Sequence, residues 1–296
     1  MNKREIITTS SRGINEESLP YRLFQKAKRF GIWNPSDIDF TQDTQDWQGL
    51  NSAQRHEVLR LISQFQAGEE AVTLDLLPLM MTIAKEGRLE EEMYLTTFLF
   101  EEAKHTEFFR LALNAIGEKG DLSSFHTDTY KTIFYELLPQ TMERLIHDQS
   151  PEAVAEASTV YNMFVEGVLA ETGYFSFYRS LEKAEIMPGL LKGVGLLKKD
   201  ESRHIGYGTF LLQRLISEHD HIFGLVSEKM QQLTPYAIKL NQEGMSGEQN
   251  AFGNTLDETM NFTMRQLSVR MDILARARGK RMEDIQKMTE IEVGIV

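Results

Sequence analysis

An all-α protein with a four-helix core and additional surrounding helices is what the sequence predicts, and three observations predict it. Apolar residues recur at steps of three and four through most of the 296 residues, the period of helices with one face turned inward. No convincing run of alternating strand residues interrupts the pattern, and the sparse glycines and prolines sit mainly at breaks or special helix positions. Two Glu-x-x-His tetrads, Glu102-Ala103-Lys104-His105 and Glu201-Ser202-Arg203-His204, each follow a further glutamate in an apolar segment, Glu69 and Glu166. One tetrad on each of two helices and one glutamate on each of two others is how a bundle holds two transition metals close together.

Taken in order, residues 1–50 read as an irregular lead-in, with Ile32-Trp33-Asn34-Pro35 as an aromatic anchor. A long helix is expected from Asn51 or Ser52 to about Ala84, bent or ended by Pro78. Arg88 to about Ile116 forms the second, closed by Gly117. A third runs from about Thr127 to Ile146 with a kink at Pro139. Ser150-Pro151, a hydroxyl cap before a first-turn proline, starts a fourth that reaches Leu181. Met187-Pro188-Gly189 is a break, and the next helix covers Leu190 to Ser217. Two more span 219–241 and 247–277, the last opening with a capping box at Ser246-Gly247-Glu248-Gln249 and ending near Gly279. Nothing marks an interdomain linker, so residues 1–296 read as one domain. The segments 51–117 and 150–217 form similar halves, each a glutamate helix followed by a tetrad helix.

The balance of 44 acidic against 32 basic residues gives a net charge of -12, which does not favour non-specific binding to nucleic acid or anionic lipid. Arg278, Lys280 and Arg281 read as a small solvated basic patch. With no cysteine, disulfides, thiolate zinc sites and cysteine-ligated clusters are excluded. No window is apolar enough to span a membrane and the N-terminus has no secretory core, so the expected setting is cytoplasmic.

Glu69, Glu102, His105, Glu166, Glu201 and His204 are the expected metal ligands. A Glu and a His three apart share one helix face. Glu102 and His105 lie among Leu95, Phe98, Phe108 and Phe109, and Glu166 among Met163, Phe164 and Val168. Charges on such faces are costly unless a metal compensates them. Four carboxylates and two imidazoles suit iron or manganese better than copper or structural zinc. Glu101 and Glu171 read as ordinary surface acids, and His56, His126, His147, His219 and His221 as surface or core histidines. Gly68 and Gly167, with Ala71 and Ala170, are small residues beside the ligands, which suggests a channel to the metals.

At these residues the chain resembles the ferritin-like superfamily, and more narrowly the ribonucleotide reductase small subunit, over roughly residues 25–280. In that family Trp33, Asp200 and His105 would form a hydrogen-bonded chain behind the first metal. Two departures stand out: Glu69 replaces the usual aspartate, and Phe109 stands where a radical tyrosine is expected. The tail Thr289–Val296 also lacks the tyrosine needed for radical relay. Gly68-Glu69-Glu70-Ala71-Val72 and Tyr161-Asn162-Met163-Phe164-Val165-Glu166-Gly167 are similar instead to the small-subunit-like ligand-binding oxidases. That resemblance implies one manganese at Glu69, Glu102 and His105, one iron at Glu166, Glu201 and His204, a bridging Glu102, and dioxygen as oxidant. It also implies a long-chain fatty acid at the metals, a Val72–Tyr161 ether crosslink and a homodimer with an unidentified electron donor. Tyr161 precedes Glu166 by five residues, an offset of about 140° on a regular helix, which a wide turn would correct. The alternatives are a nucleotide-reductase small subunit, and a ferritin-like metal or fatty-acid binding protein without turnover.

Overall fold

The computed structural model describes residues 6–245, 247–281, 283–285 and 287. The lead-in is not irregular, because it holds two helices, α1 (Leu19–Phe30) and α2 (Thr41–Gly49). Ser18 caps α1 by accepting from the Tyr21 N–H, and Leu19, Leu23 and Ala27 form a buried stripe at four-residue steps. Proline, asparagine and glycine around these helices mark their ends rather than an absence of helix.

Helix α3 (Ser52–Lys85) starts from a capping box in which Asn51 and Gln54 satisfy each other's backbone N–H groups. It runs through Pro78 without ending there. Helix α4 (Leu89–Ala115) closes as expected at Gly117, whose φ of 78° lets the Glu118 N–H return to the Leu113 carbonyl. The next rod comprises α5 (Asp128–Lys131), a π-helical stretch (Thr132–Leu137) and α6 (Leu138–Arg144). Pro139 falls in the first turn of α6, just past the wide stretch, where a missing donor costs least.

Ser150 caps α7 (Pro151–Ser158), which widens into a π-helical stretch at Thr159–Ala170. Helix α8 (Glu171–Phe177) and a second wide stretch (Tyr178–Glu182) complete that rod. The break that follows has Glu185 and Met187 in the left-handed region, at φ 54° and 53°. Helix α9 is Pro188–Glu218 and α10 is Ile222–Glu243. Helix α11 (Leu256–Ala275) begins later than expected, and residues 283–285 are helical again beyond it. Its capping box is Thr255 with Glu258, while Ser246 and the tail 288–296 lie outside the described residues.

Helices α3, α4 and α9 and the rod 151–182 form the core. Helix α1 lies across α4 and α9, and α10 and α11 cover the Thr159–Ala170 stretch. One apolar cluster contains Leu76, Phe98, Tyr161 and Phe164; the other contains Leu61, Phe108, Phe109 and Phe177. Among the described residues the only strand-like feature is an isolated bridge between Gln249 and Thr255, and no helix is long and apolar enough to cross a membrane.

Candidate metal centre

The four core elements bring six side chains together. Glu69 comes from α3, Glu102 and His105 from α4, Glu166 from the wide stretch, and Glu201 and His204 from α9. Glu69, Glu102, His105 and Glu201 offer ligand atoms within 4.8 Å of one another, and so do Glu102, Glu166, Glu201 and His204. Glu102 and Glu201 therefore belong to both groups.

Both imidazoles turn Nδ1 inward. His105 Nδ1 lies 3.4 Å from Glu69 and from Glu201, and His204 Nδ1 lies 3.0 Å from Glu102 and 3.3 Å from Glu201. Both Nδ1 atoms, with one carboxylate oxygen each of Glu102, Glu166 and Glu201, are buried without a hydrogen-bond partner. Orphaned polar atoms are rare in a protein interior, and here they converge. Nitrogen and oxygen donors in this arrangement fit a pair of divalent first-row ions.

Electrostatics agree with that fit. Burial pushes the Glu69 and Glu166 carboxyls well up, aided at Glu166 by Glu201. Burial alone would depress His105 and His204, but the surrounding carboxylates outweigh it and drive both well above the ordinary histidine value. The metal-free cluster thus holds protons where two dications would hold charge.

Behind each imidazole stands a carboxylate from the opposite motif. His105 Nε2 lies 3.2 Å from Asp200, which directly precedes Glu201. His204 Nε2 lies 2.8 Å from Glu101, which directly precedes Glu102. Glu101 is therefore not a surface acid: it is 1% exposed and faces α9. Trp33 Nε1 donates to Asp200 at 2.8 Å, as does Lys104 Nζ at 2.8 Å. Arg203 donates to both Asp200 and Glu101. Sequence reasoning missed Glu101, Lys104 and Arg203. The signal was present, because both motifs read acid-Glu-x-base-His: Glu101 to His105 and Asp200 to His204. It also missed Asn162, whose amide donates to Glu166 at 3.0 Å.

Tyr161 lies inside the wide stretch with Glu166. A π-helix closes its hydrogen bonds from i to i+5, so residues five apart come onto one face. The Tyr161 hydroxyl reaches Glu102 at 3.5 Å, and burial, then the neighbouring carboxylates, keep the phenol protonated. An apolar cavity reaches the cluster past Gly68, Val72, Phe134, Ala170 and Leu240. Ala71 and Gly167 do not line it. A Cβ at Gly167 would lie 3.0 Å from Arg270 Nε, so that glycine makes room for an α11 side chain rather than a ligand. Tyr174 also lines the cavity, and its buried hydroxyl has no partner. Of the other histidines, His126 is buried between Ser63 and Tyr135, and His221 pairs with Glu152 at the surface.

The sequence profile of the family described as ribonucleotide reductase, small chain, matches residues 23–266. An R2-like ligand-binding oxidase with aerobically reconstituted Mn/Fe cofactor is 42% identical, with 92% of this chain and 98% of that one covered and a TM-score of 0.88. The chain belongs to this family. A phenylalanine-for-glycine variant of an R2-like ligand-binding oxidase, also with Mn/Fe, is 43% identical over 88% of this chain and 98% of that one, at a TM-score of 0.85. A leucine-for-glycine variant with an Fe/Fe cofactor is 41% identical over 92% and 98%, at 0.88. In the small-chain family the Phe109 position is notable. Here its ring packs among Phe65, Phe108 and Phe177, with no phenol at that place.

Proposed function

We propose that the chain is a dioxygen-activating oxidase in which Glu69, Glu102 and His105 would hold manganese and Glu166, Glu201 and His204 would hold iron, Glu102 standing within reach of both. The two inward, unpartnered Nδ1 atoms, each with its Nε2 held from behind, carry this reading. When bound, such a pair supplies electrons to dioxygen and oxidising power beside it. The chain's own part is to position. Asp200 and Glu101 fix the imidazole tautomers, so that Nδ1 is the free donor. Asn162 orients Glu166. Phe98, buried and stacked on His204 at 3.7 Å, excludes water there.

The wide stretch supports an ether bond between the Val72 β-carbon and the Tyr161 oxygen. Val72 gives up its β C–H and Tyr161 its O–H. One C–O bond forms, and two hydrogens with two electrons pass to dioxygen. The cavity's apolar lining favours a long-chain fatty acid or similar ligand, whose carboxylate the metals would hold at the inner end when bound. Leu74, Leu77 and Met81 form an exposed apolar stripe on α3, and Phe100 is exposed on α4; this surface is where a second copy would pack. The setting we assign is the cytoplasm.

Reconstitution with manganese and iron under dioxygen, followed by intact mass and peptide mapping, tests the reading. A mass lower by two hydrogens and a peptide joining α3 to the rod 151–182 are expected, both absent in Tyr161→Phe. Separate, unmodified peptides from fully metallated, oxygen-treated protein would return the chain to a generic di-metal oxidase.

A further inference from the structure

A second, more polar cavity adjoins the apolar one. Leu61, Gln64, Leu169, Gly173 and Leu240 line both, and no candidate metal ligand lines the outer one. On α3 the lining passes from Glu69 inside to Arg60 outside, nine residues or about 14 Å along a helix axis. Sharing five lining residues, the two cavities are neighbours, with the metal cluster on the far side of the apolar one from this more polar chamber.

Two residues that line the chamber each carry a buried polar atom with nothing to bond. Asn254 lines it and is 4% exposed; its Nδ2 donates to Ser180 at 2.9 Å, but its Oδ1 has no partner. Arg179 also lines it, and its Nε is buried and unpartnered. One atom needs a donor and the other an acceptor. The charges nearby are already balanced: Arg60 forks onto Glu57, at 2.7 Å in its closer bond, and Arg179 pairs with Glu258. The chamber therefore has no uncompensated positive charge for a phosphate or a second carboxylate.

We propose that this chamber is an outer subsite for a neutral hydroxyl at the far end of the channel's ligand. The favoured ligand is then a fatty acid hydroxylated toward its tail, with its carboxylate at the metals and its hydroxyl between Asn254 and Arg179. A hydroxyl donates and accepts at once, so it answers both orphaned atoms, and does so whichever way the Asn254 amide is turned. A plain alkyl end would leave both unpaired. This rests on the channel reading proposed above and adds its outer end.

The test uses the metal-reconstituted full chain, stripped of lipid, with lauric acid and ω-hydroxylauric acid as competing probes in calorimetry and native mass spectrometry. The hydroxy acid should bind about tenfold more tightly. Asn254→Leu should bring the two acids to similar affinities. Arg179→Met, nearer the rim, should do the same and serves where the first variant does not fold, as judged by circular dichroism and metal content. Equal affinities in the unmodified chain, or a preference that survives both variants, would overturn the outer subsite and leave the channel standing. A preference for a phosphate-ended chain over the hydroxy acid would also overturn it. Failure of both acids to bind would remove the channel reading and the subsite together.

Discussion

His105 and His204 sit on matching motifs, yet what stands behind them differs. Asp200, behind His105, is shared among His105, Trp33, Lys104 and Arg203. Burial would raise its carboxyl, but His105, Lys104 and Arg203 hold it well below the usual range. Glu101, behind His204, accepts from His204 and Arg203. Its contact with the imidazole is shorter, 2.8 Å against 3.2 Å. A carboxylate spread over four donors pulls less on any one of them. His204 is thus the more basic ligand. Stronger donors favour the later divalent ion, which supports the proposed order of manganese on the His105 side and iron on the His204 side. Two near-identical motifs gain different chemistry from the residues one step outside them.

The largest effect should come from removing what the halves share. Glu102 belongs to both ligand groups, whereas Glu69 belongs to the first alone. Glu102→Ala should lose both metals, and Glu69→Ala mainly the one at His105, by elemental analysis after reconstitution and desalting. Full retention of either metal by Glu102→Ala would show that the halves are independent.

Next in size is the crossed support. Asp200→Asn should weaken the metal at His105, on the other motif, by about ten- to a hundredfold, and Glu101→Gln the metal at His204 by a similar factor. Metal-specific anomalous scattering at limiting supply reads each site separately. If each variant instead weakened the site of its own motif, the crossed arrangement would have no functional weight.

A smaller effect comes from pH, with a sign that metal reverses. The metal-free fold has raised values at His105, His204, Glu69 and Glu166, so its native state holds protons that the unfolded chain releases earlier. The histidine contribution is fully present below the unfolded value near pH ~6.5 and is lost as pH rises through the folded values. The two carboxyls start to cost stability above their unfolded values near pH ~4 and cost more until they ionise. Metal-free protein should therefore melt a few degrees lower at pH ~8.5 than at pH ~6. Metal binding displaces those protons, so metal affinity should rise over the same interval. A metal-free melting temperature that climbs with pH would contradict the proton-holding cluster.

The six converging side chains were legible because helical period and the three-residue Glu–His step both project onto one face. The wide turn was legible through a misfit, since Tyr161 and Glu166 are wrongly phased for a regular helix. Glu101 was not, because one residue from Glu102 it points a third of a turn away, and only the packing of α9 shows what it meets. Gly167 misled for the same reason: the neighbour that needs its space, Arg270, lies far along the chain. In the lead-in, turn-forming residues drew attention from the four-residue stripe of Leu19, Leu23 and Ala27.

The smallest prediction isolates one brace of the first half. Trp33 donates a single hydrogen bond to Asp200, and its ring lies nearly parallel to His105, 15° apart at 6.3 Å. Trp33→Phe removes the donor and keeps an aromatic ring for Phe108 to pack against. Lys104 still donates to the same Asp200 oxygen, so the carboxylate stays anchored. A net hydrogen bond is worth about 1 kcal/mol, which sets a ceiling of roughly fivefold on the loss of affinity. That loss should fall on the metal at His105 and leave the His204 site unchanged, because no Trp33 contact reaches Glu101. With one donor fewer, the still-anchored Asp200 should draw somewhat more on His105 and narrow the difference between the halves. Competition between manganese and iron for the first site, measured in Trp33→Phe and the unmodified chain, reads this as a shift toward iron. Equal loss at both sites would mean that Trp33 supports the whole bundle rather than one imidazole.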